Sequence, residues 1–465
     1  MKKTQLAQLI AGIVGVTAAT GAFASGFQLL EQSGQGVGNG FAGSAASGED
    51  ASTAFFNPAV MPFMDKRTQI TFGLDMVKPT AKFVDEGSTA PRFISAGKLG
   101  GDGGDAGSWN AVPATHMTFG LNKDLSLGIS LGAPFGLKTD YEDSWRGRFH
   151  ADKSDLKMIA LSPSIAYKFT DTFSASIGAV YQHFEAELTQ AVNFGGVVCD
   201  VAGASLCPLL TGLGTLNDKE GFSQVKGKSD DWGYQLGFAF QPSPSTRIGL
   251  AYRSAVSHHL TGDVHITRPT FGIALIDTGL AQRASDGPVS VDVKIPDTFI
   301  VSAFQKLDDK WTLQGDISRT GWSSIKTLDI YRNDGSLLSS SYYNWRDTWR
   351  VAVGGSYQFD ASWKFRAGVA YDQTPVQAEF RTPRLPDSNR TWVSFGANYR
   401  MSEAVSFDLG YSHLFMSSSS LNDASYHAEY NPGGINTTAP LNNGVLKGHY
   451  DGSVDIIGMQ VNYAF

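Results

Sequence analysis

Long apolar runs and cysteine are what this 465-residue sequence lacks most. Its most apolar stretch, residues 9–19, is shorter than the roughly 20 apolar residues that a membrane-spanning helix needs, so helical spans are excluded. A transmembrane β-barrel is not excluded, because lipid-facing and lumen-facing residues alternate along its strands and the average composition looks soluble. The 44 acidic residues exceed the 37 Lys and Arg residues, which argues against a nucleic-acid partner.

The N-terminus has the features of a secretory signal. Two lysines follow the initiator Met, residues 9–19 form the apolar core, and residues 22–24 (Ala-Phe-Ala) fit a cleavage site. We therefore predict a signal peptide over residues 1–24, with Ser25 as the first residue of the exported protein. The alternative, a helical membrane anchor, is disfavoured because the apolar core is short.

The two cysteines, Cys199 and Cys207, fall in one long predicted connection between strands. In an exported chain they are expected to form a disulfide, the alternative being two free thiols. The connection contains no histidine, so a metal site is not expected there.

Motifs of enzymes and of cofactor-binding proteins are also scarce. The sequence has no G-x-S-x-G and no H-E-x-x-H motif, and its nine histidines are scattered. Residues 38–43 match G-x-G-x-x-G, but no strand precedes them, so a dinucleotide site is rejected. We expect no enzymatic activity, no cofactor and no metal. A barrel phospholipase stays open as an alternative; it would need Ser and His on one strand face, and we find no such pair.

Glycine, in contrast, is abundant, with 52 residues, and it is concentrated near the mature N-terminus. Residues 25–66 are rich in small residues and have no strand alternation, which favours close backbone packing. Within them, Asn57, Pro58 and Ala59 predict a turn, because a residue before proline is biased away from the helix. We predict that residues 25–66 form a plug, called the hatch below, inside a barrel formed by residues 67–465.

Two-residue periodicity dominates the chain beyond the hatch. In residues 349–359, for example, Val351, Val353 and Tyr357 fall on one face, and small or polar residues fall on the other. Tight turns alternate with long glycine-rich connections, as in outer-membrane barrels. The predicted fold is therefore an all-β, antiparallel transmembrane barrel of about fourteen strands. The predicted strand runs are 67–84, 109–122, 125–138, 153–169, 172–192, 222–240, 246–266, 289–306, 310–331, 342–359, 363–380, 389–400, 405–417 and 448–465.

The C-terminal strand carries the same pattern to the last residue. From Ile457 to Phe465 the odd positions are apolar and the even positions are small or amide-bearing. A final aromatic residue of this kind resembles the signal that outer-membrane barrels present to their assembly machinery. We expect a multi-pass barrel in the Gram-negative outer membrane, with that machinery, outer-membrane lipid and lipopolysaccharide as partners.

A break in the third strand run is predicted at Pro134, Phe135 and Gly136. Proline cannot donate to a ladder and glycine weakens one, so a kink here would open a gap in a barrel wall. Arg146 and Arg148 follow beside aromatic residues, an arrangement suited to a carboxylate on an apolar tail. The alternative for the two arginines is an ordinary salt-bridge cluster in a loop.

Several short blocks between the mature N-terminus and the last residue are specific in combination. The blocks are Ser25-Gly26-Phe27-Gln28-Leu29, Phe41-Ala42-Gly43, Asn57-Pro58-Ala59, Ala133-Pro134-Phe135-Gly136-Leu137, Trp145-x-Gly147-Arg148-Phe149-His150, Tyr371-Asp372-Gln373-Thr374-Pro375-Val376, Arg384-Leu385-Pro386-Asp387 and Asn462-Tyr463-Ala464-Phe465. Together they resemble the FadL-type outer-membrane transporters of long-chain fatty acids, a family that also includes aromatic-hydrocarbon channels.

The resemblance implies a fourteen-stranded barrel in which the hatch gates passive uptake of a hydrophobic molecule. Substrate would be caught from outside between long loops and pass to an inner pocket. It would leave through the gap at residues 134–136 when the hatch N-terminus shifts. Ser25, Gly26 and Phe27 would form the gating end, with Phe27 facing the pocket, and residues 57–59 would anchor the hatch.

One departure from the family concerns the substrate headgroup. Fatty-acid members use Arg and Lys of the lumen, but after Tyr181 this sequence offers Glu185 and Glu187 and no cation. Lys326 lies near a family lysine position without a secure alignment. Long-chain fatty acids are the predicted substrates, and neutral aromatic hydrocarbons or alkanes are the alternative. A general polar porin is disfavoured, because it should lack an internal plug.

Overall fold

One antiparallel β-sheet closes on itself in the computed structural model, which describes residues 25–65, 67–424 and 442–465. The wall has fourteen strands, and six of them are interrupted, so that each comprises two segments. The segments are β1 Gln69–Asp85, β2 Asn110–Gly120, β3 Leu125–Gly132, β4 Gly136–Asp140, β5 Lys153–Thr170, β6 Phe173–Asn193, β7 Glu220–Ser243, β8 Thr246–Arg253, β9 Val256–Thr267, β10 Gly287–Ile295, β11 Thr298–Lys306, β12 Trp311–Thr320, β13 Thr327–Arg332, β14 Leu337–Tyr342, β15 Thr348–Gln358, β16 Trp363–Asp372, β17 Arg390–Arg400, β18 Val405–Met416, β19 Ser419–Asp423 and β20 Leu446–Ala464.

Short helices lie inside the barrel and longer ones lie in the loops. The α-helices are α1 Gly34–Val37, α2 Thr53–Phe56, α3 Phe194–Gly212 and α4 Ala274–Arg283, and the 3-10 segments are Pro58–Phe63, Ala96–Lys98, Trp322–Ser324 and Ala378–Phe380. Among the described residues, no helix is long and apolar enough to cross a membrane.

The first and last strands close the barrel. β1 pairs with β20 from Gln69 opposite Ala464 to Asp85 opposite Gly448, and its other edge pairs with β2. Both edges of β1 are therefore paired at this seam, where unpaired backbone groups would not be tolerated in a hydrocarbon environment. The predicted fold class, an all-β transmembrane barrel of about fourteen strands, is confirmed.

Residue alternation along the strands determines which side chains face outward. In β15, Trp349, Val351 and Val353 are exposed, whereas Arg350 and Ala352 between them are buried. The same alternation continues around the wall and gives an apolar outer surface and a polar or small-residue lumen face.

The hatch fills the lumen, and contacts to the wall hold it there. Asn57 Nδ2 donates to the carbonyl of Ala45 at 2.8 Å and to that of Phe238 in β7 at 3.1 Å. The Glu49 carboxylate accepts from Arg366 at 2.7 Å and from Lys364 at 3.2 Å, both on β16. These bonds tie the body of the hatch to opposite stretches of the wall. The predicted signal peptide, residues 1–24, lies outside the described residues.

Five predicted strand runs differ from the observed wall. The runs 246–266, 289–306, 310–331 and 342–359 were expected to be continuous, but each is interrupted, and the run 363–380 ends at Asp372. The interruptions turn large side chains inward, as with the buried Trp322 and Trp345. Period-two alternation resumes after each break, so the pattern alone does not reveal it.

Two of the long connections between strands contain helices. α3 and α4 pack their apolar residues, among them Phe194, Val198 and Leu280, against strand segments that project beyond the hatch. Cys199 and Cys207 are joined by a disulfide within α3. The loops therefore have a small apolar core of their own at the outer end of the barrel.

Candidate functional site

The third wall strand breaks between β3 and β4, and the hatch occupies the break. The amide of Leu29 donates to the carbonyl of Pro134 at 2.8 Å, and the amide of Gly136 donates to the carbonyl of Phe27 at 2.9 Å. Gln28 forms a bridge with Phe135 between these two bonds. The gap that the sequence predicted is thus closed by residues 27–29 of the hatch, an extended segment called the hatch strand below, rather than by the wall itself.

Phe27 sits among aromatic side chains from both sides of the lumen. Its ring centre lies 5.8 Å from that of Phe135, 4.9 Å from that of Trp322 and 5.8 Å from that of Trp345. Gly26 precedes it with φ at +63°, and a Cβ there would lie 2.7 Å from the Trp322 ring. Glycine is therefore required at position 26 both by its backbone angle and by the space available.

The start of the hatch is held by the loop between β16 and β17. The amide of Gly26 donates to Asp387 Oδ2 at 3.0 Å, and Thr374 Oγ1 donates to the same oxygen at 2.7 Å. Ser25 Oγ donates to the carbonyl of Gln373 at 2.8 Å. These few polar bonds, together with the ring contacts of Phe27, fix the segment that the family resemblance assigns to gating.

An apolar cavity of about 90 Å³, the inner cavity, is bounded on one side by Phe27. Its wall is almost entirely aliphatic or aromatic, with Arg384 as its buried cation. Representative lining residues are Phe27, Leu137, Leu156, Phe184, Leu260, Val291, Ile325, Tyr343, Trp345, Arg384 and Leu385. Such a cavity suits the hydrocarbon part of a ligand.

A larger cavity of about 500 Å³, the outer cavity, lies between the loops. Its lining is mixed, with apolar residues beside serines, asparagines, His150, two further arginines and the carboxylate of Asp423. Leu188, Val225, Leu328, Tyr343 and Arg384 are among the residues that line both cavities. The two cavities therefore adjoin between the loops and Phe27.

Arg384 stands at this junction. It is 9% exposed, and its Nη2 donates to Gln190 Oε1 at 2.7 Å. Its Nη1 contacts the carbonyls of Lys153 and Thr189 and the hydroxyl of Ser154 at 3.3–3.4 Å. All four partners are neutral, and no carboxylate among the described residues forms an ion pair with Arg384. A buried cation without a counter-ion is costly unless a ligand supplies the charge.

Arg146 and Arg148, the two cations proposed from sequence, are already paired. Arg146 lies 2.6 Å from Asp85 Oδ2 and 2.8 Å from Asp102 Oδ1. Arg148 makes a bidentate pair with Glu220, at 2.7 and 2.8 Å. Neither lines the inner or the outer cavity. The arrangement is the loop salt-bridge cluster that the sequence left as the alternative.

The lysine considered from the sequence as a headgroup partner, Lys326, lies away from the cavities, whereas Arg384 lines both of them. Lys326 Nζ donates to Asn344 Oδ1 at 3.2 Å in an exposed position, and it lines neither cavity. Arg384 belongs to a block that the sequence singled out, Arg384-Leu385-Pro386-Asp387, but no role was assigned to it. Its position in that block is the signal that could have drawn attention to Arg384. The sequence alone does not show that the connection carrying the block folds into the lumen.

Comparison with known proteins identifies relatives along nearly the whole chain. The family described as outer membrane protein transport protein (OMPP1/FadL/TodX) matches residues 15–465. The long-chain fatty acid transport protein of Escherichia coli K12 is 27% identical over 444 residues, covering 92% of this chain and 96% of the relative. Outer membrane protein P1 of Haemophilus influenzae is 29% identical over 463 residues, covering 96% and 97%.

Solved structures share the fold. A FadL homologue of Pseudomonas aeruginosa superimposes with a TM-score of 0.82 at 24% identity, covering 95% of this chain and all of that one. The toluene transporter TodX of Pseudomonas putida gives 0.64 at 17% identity, covering 92% and 99%. Taken with the family match over residues 15–465, these findings mean that the chain belongs to the OMPP1/FadL/TodX family and is an outer-membrane channel for hydrophobic molecules rather than an enzyme.

Proposed function

We propose that the protein takes up long-chain fatty acids passively across the outer membrane, with release controlled by the hatch and lateral exit at the kinked third strand. The observation that carries the choice of substrate is Arg384, a buried cation at the junction of the two cavities that has only neutral partners. A fatty acid would place its carboxylate at Arg384 and its tail in the inner cavity. Charge-assisted hydrogen bonds of this kind are roughly twice as strong as neutral ones.

Release is the harder step for such a ligand. Each buried CH₂ contributes about 0.8 kcal/mol, so a long acyl chain binds an apolar cavity tightly. Displacing Phe27 removes one wall of the inner cavity and withdraws the hatch strand from the break between β3 and β4. One movement thus weakens binding and opens the side of the barrel toward lipid.

A neutral hydrocarbon is the second candidate substrate. Apart from Arg384 and Lys226, which lies 3.7 Å from Glu187 Oε1, the inner cavity has very little polar surface, which suits toluene or an alkane as well as an acyl chain. The relatives include both kinds by name, a fatty acid transport protein and a toluene transporter. Recognition of a carboxylate headgroup therefore distinguishes fatty acids from neutral hydrocarbons as the substrate.

Direct binding to the purified protein in detergent tests the proposal. Oleate, oleyl alcohol of the same chain length and toluene are compared at two salt concentrations, for the unchanged protein, for Arg384→Gln and for the control Arg146→Gln. We expect Arg384→Gln to weaken oleate binding roughly tenfold and to leave oleyl alcohol unchanged, since a charged hydrogen bond is lost. The control should behave like the unchanged protein.

Two outcomes would reject fatty acids as the preferred substrate. One is equal binding of oleate and oleyl alcohol by the unchanged protein, and the other is a preference for toluene. Either result would transfer the proposal to neutral hydrocarbons.

A further inference from the structure

A third cavity, the exit cavity, lies beside the break in the wall. It measures about 40 Å³ and shares no lining residue with the inner cavity. The hatch strand separates the two, because Phe27 lines the inner cavity while its neighbours Gln28 and Leu29 line the exit cavity. Pro134 and Phe135 of the break complete its lining on the wall side. A molecule leaving the inner cavity for the break would therefore enter this space.

Arg253, the last residue of β8, supplies the charge of the exit cavity. Its Nη2 donates to the carbonyl of Phe55 and to Gln235 Oε1, both at 3.2 Å, and its guanidinium lies 4.3 Å from the centre of the Phe55 ring. Nη1 is buried and has no hydrogen-bond partner. In the part of the chain that the structure describes, no Asp or Glu forms an ion pair with Arg253.

Three other lumen arginines are held by a carboxylate or by several hatch carbonyls, which Arg253 is not. Arg350 pairs with Asp316 at 3.4 Å, and Arg366 pairs with Asp408 at 2.6 Å. Arg247 has no carboxylate either, but it donates to the hatch carbonyls of residues 46, 47 and 63 and to Gln241. Arg253, in contrast, lines the exit cavity, has no carboxylate partner among the described residues, and has a buried Nη1 without a hydrogen-bond partner.

We propose that Arg253 is a second carboxylate-binding site, which receives a fatty acid after it leaves Arg384 and before it passes through the break at residues 133–135. The proposal rests on the fatty-acid function proposed above. The chemistry follows from desolvation, since moving a carboxylate through an apolar lumen without a partner costs several kcal/mol. A cation on each side of the hatch strand lowers that cost at both stages of the passage.

The transfer requires only that the hatch strand moves. With Phe27 in place, the two cavities are separate; with residues 25–29 displaced, Gln28 and Leu29 no longer divide them. Arg253 remains where it is, because it belongs to the wall and because Phe55 lies in the hatch body anchored by Asn57. The ligand thus meets a fixed cation beside the opening.

Uptake by whole cells, paired with binding, tests the assignment. Arg253→Gln, Arg253→Lys and the control Arg247→Gln are expressed in a Gram-negative host that lacks its own transporter of this family. Labelled oleate and oleyl alcohol are supplied separately, and oleate affinity is measured on each purified protein. For Arg253→Gln we expect oleate uptake to fall roughly tenfold, with oleyl alcohol uptake and oleate affinity within twofold of the unchanged protein. Arg253→Lys should retain most oleate uptake.

Equal loss of oleate and oleyl alcohol uptake by Arg253→Gln would overturn the proposal, because a merely structural role in holding Phe55 affects both molecules alike. Unaltered oleate uptake would overturn it as well. If instead the unchanged protein does not distinguish oleate from oleyl alcohol, or if Arg384→Gln binds oleate normally, it is the fatty-acid function that fails.

A labelling experiment gives an answer even if Arg253→Gln assembles poorly. A fatty acid with a photoreactive group next to its carboxylate is bound to the unchanged protein and to a variant lacking residues 25–27. We expect label in peptides containing Arg384 in the first case, and additional label in peptides containing Phe55 or Arg253 in the second. Absence of label from the latter peptides in the truncated variant would contradict the second site.

Discussion

Glu31 is a carboxylate that the hatch buries without a partner on another residue. It is fully buried, and neither of its oxygens accepts a hydrogen bond from another described residue. Burial raises the pKa of the Glu31 carboxyl from 4.5 to about 7. The closed hatch therefore favours the protonated form. Its contribution to closure is complete below pH 4.5 and is lost as the pH rises through about 7.

Glu31→Gln should accordingly stabilise the closed hatch at alkaline pH. The pKa shift corresponds to up to about 3 kcal/mol at pH 8, and to almost nothing at pH 4.5. Hydrogen exchange of the amides of residues 29–35, compared between variant and unchanged protein at each pH, measures the difference. We expect stronger protection in the variant at pH 8 only.

Glu49→Gln is a control that is expected to destabilise the closed hatch, whereas Glu31→Gln is expected to stabilise it. Although burial opposes ionisation, Lys364 and Arg366 hold the pKa of the Glu49 carboxyl well below its usual range. Removing that charge should weaken hatch protection at pH 8. Equal protection of the Glu31→Gln and unchanged hatches at pH 8 would contradict the account of Glu31.

Phe27 and Asn57 were assigned from the sequence to the gating end and the anchor of the hatch. In the structure Phe27 borders the inner cavity and Asn57 donates to the carbonyl of Phe238 in β7, and their roles stay predictions. Arg384 and Arg253 were not identified from the sequence, because a cation is unpaired only if no carboxylate lies near it in the fold. Which residues lie near it depends on segments far away in sequence, and a local sequence pattern does not show this.

Among the elements, the break between β3 and β4 is the one on which lateral exit depends. The carbonyl of Pro134 and the amide of Gly136 bond to the hatch strand, while the carbonyl of Phe135 accepts from the amide of Met158 in β5 at 3.2 Å. The double substitution Pro134→Val with Gly136→Val restores a donor and strand propensity, and should favour a continuous third strand. We expect uptake of oleate to fall at least tenfold while oleate affinity stays within threefold.

A matched control variant distinguishes the effect of a continuous third strand from the effect of introducing valine into a wall strand. Ala397→Val on the outward face of β17 places the same side chain in a wall strand that has no break, and should leave uptake near normal. Normal uptake by the Pro134/Gly136 double variant would remove the lateral route from the proposal.

The break was predictable because its cause is local, namely a proline and a glycine two positions apart in an alternating run. The interruptions at residues 254–255, 321–326 and 343–347 were not predicted. Trp322 and Trp345 bend inward there to meet Phe27, a contact across nearly 300 residues of sequence. The two-residue alternation is unaltered on each side of these interruptions, so the sequence pattern does not show that the chain turns inward there.

At the scale of the whole molecule, the barrel closes through β20, so its C-terminal residue takes part in the assembly of the barrel. Phe465 is 66% exposed; its amide donates to the carbonyl of Thr68 at 3.1 Å and its ring lies 4.8 Å from that of Tyr463. So little burial contributes little to the stability of the folded barrel. Its value would lie in recognition by the assembly machinery before the β1–β20 seam forms.

Phe465→Ala should therefore lower the amount of barrel assembled in cells without lowering its stability. We expect several-fold less folded protein in the outer membrane at equal expression, scored by heat-modifiable gel mobility. Spontaneous refolding into detergent micelles should be unchanged. Met401→Ala, which truncates an equally exposed side chain in the β17–β18 turn, is the control. Wild-type assembly of Phe465→Ala would exclude the C-terminal residue as a recognition signal.

The sequence by itself determined the barrel, its outward face, the hatch and the third-strand break. These features depend on spacing within a strand or on the local behaviour of Gly and Pro, and lipid contact requires only that alternate residues be apolar. Only the tertiary structure decided which cations meet the ligand route. Arg146 and Arg148 were neutralised by Asp85 and Glu220 across the loops, while Arg384 and Arg253 were left with neutral partners. Charge compensation depends on where distant segments meet, and that is fixed by closure of the barrel around its hatch.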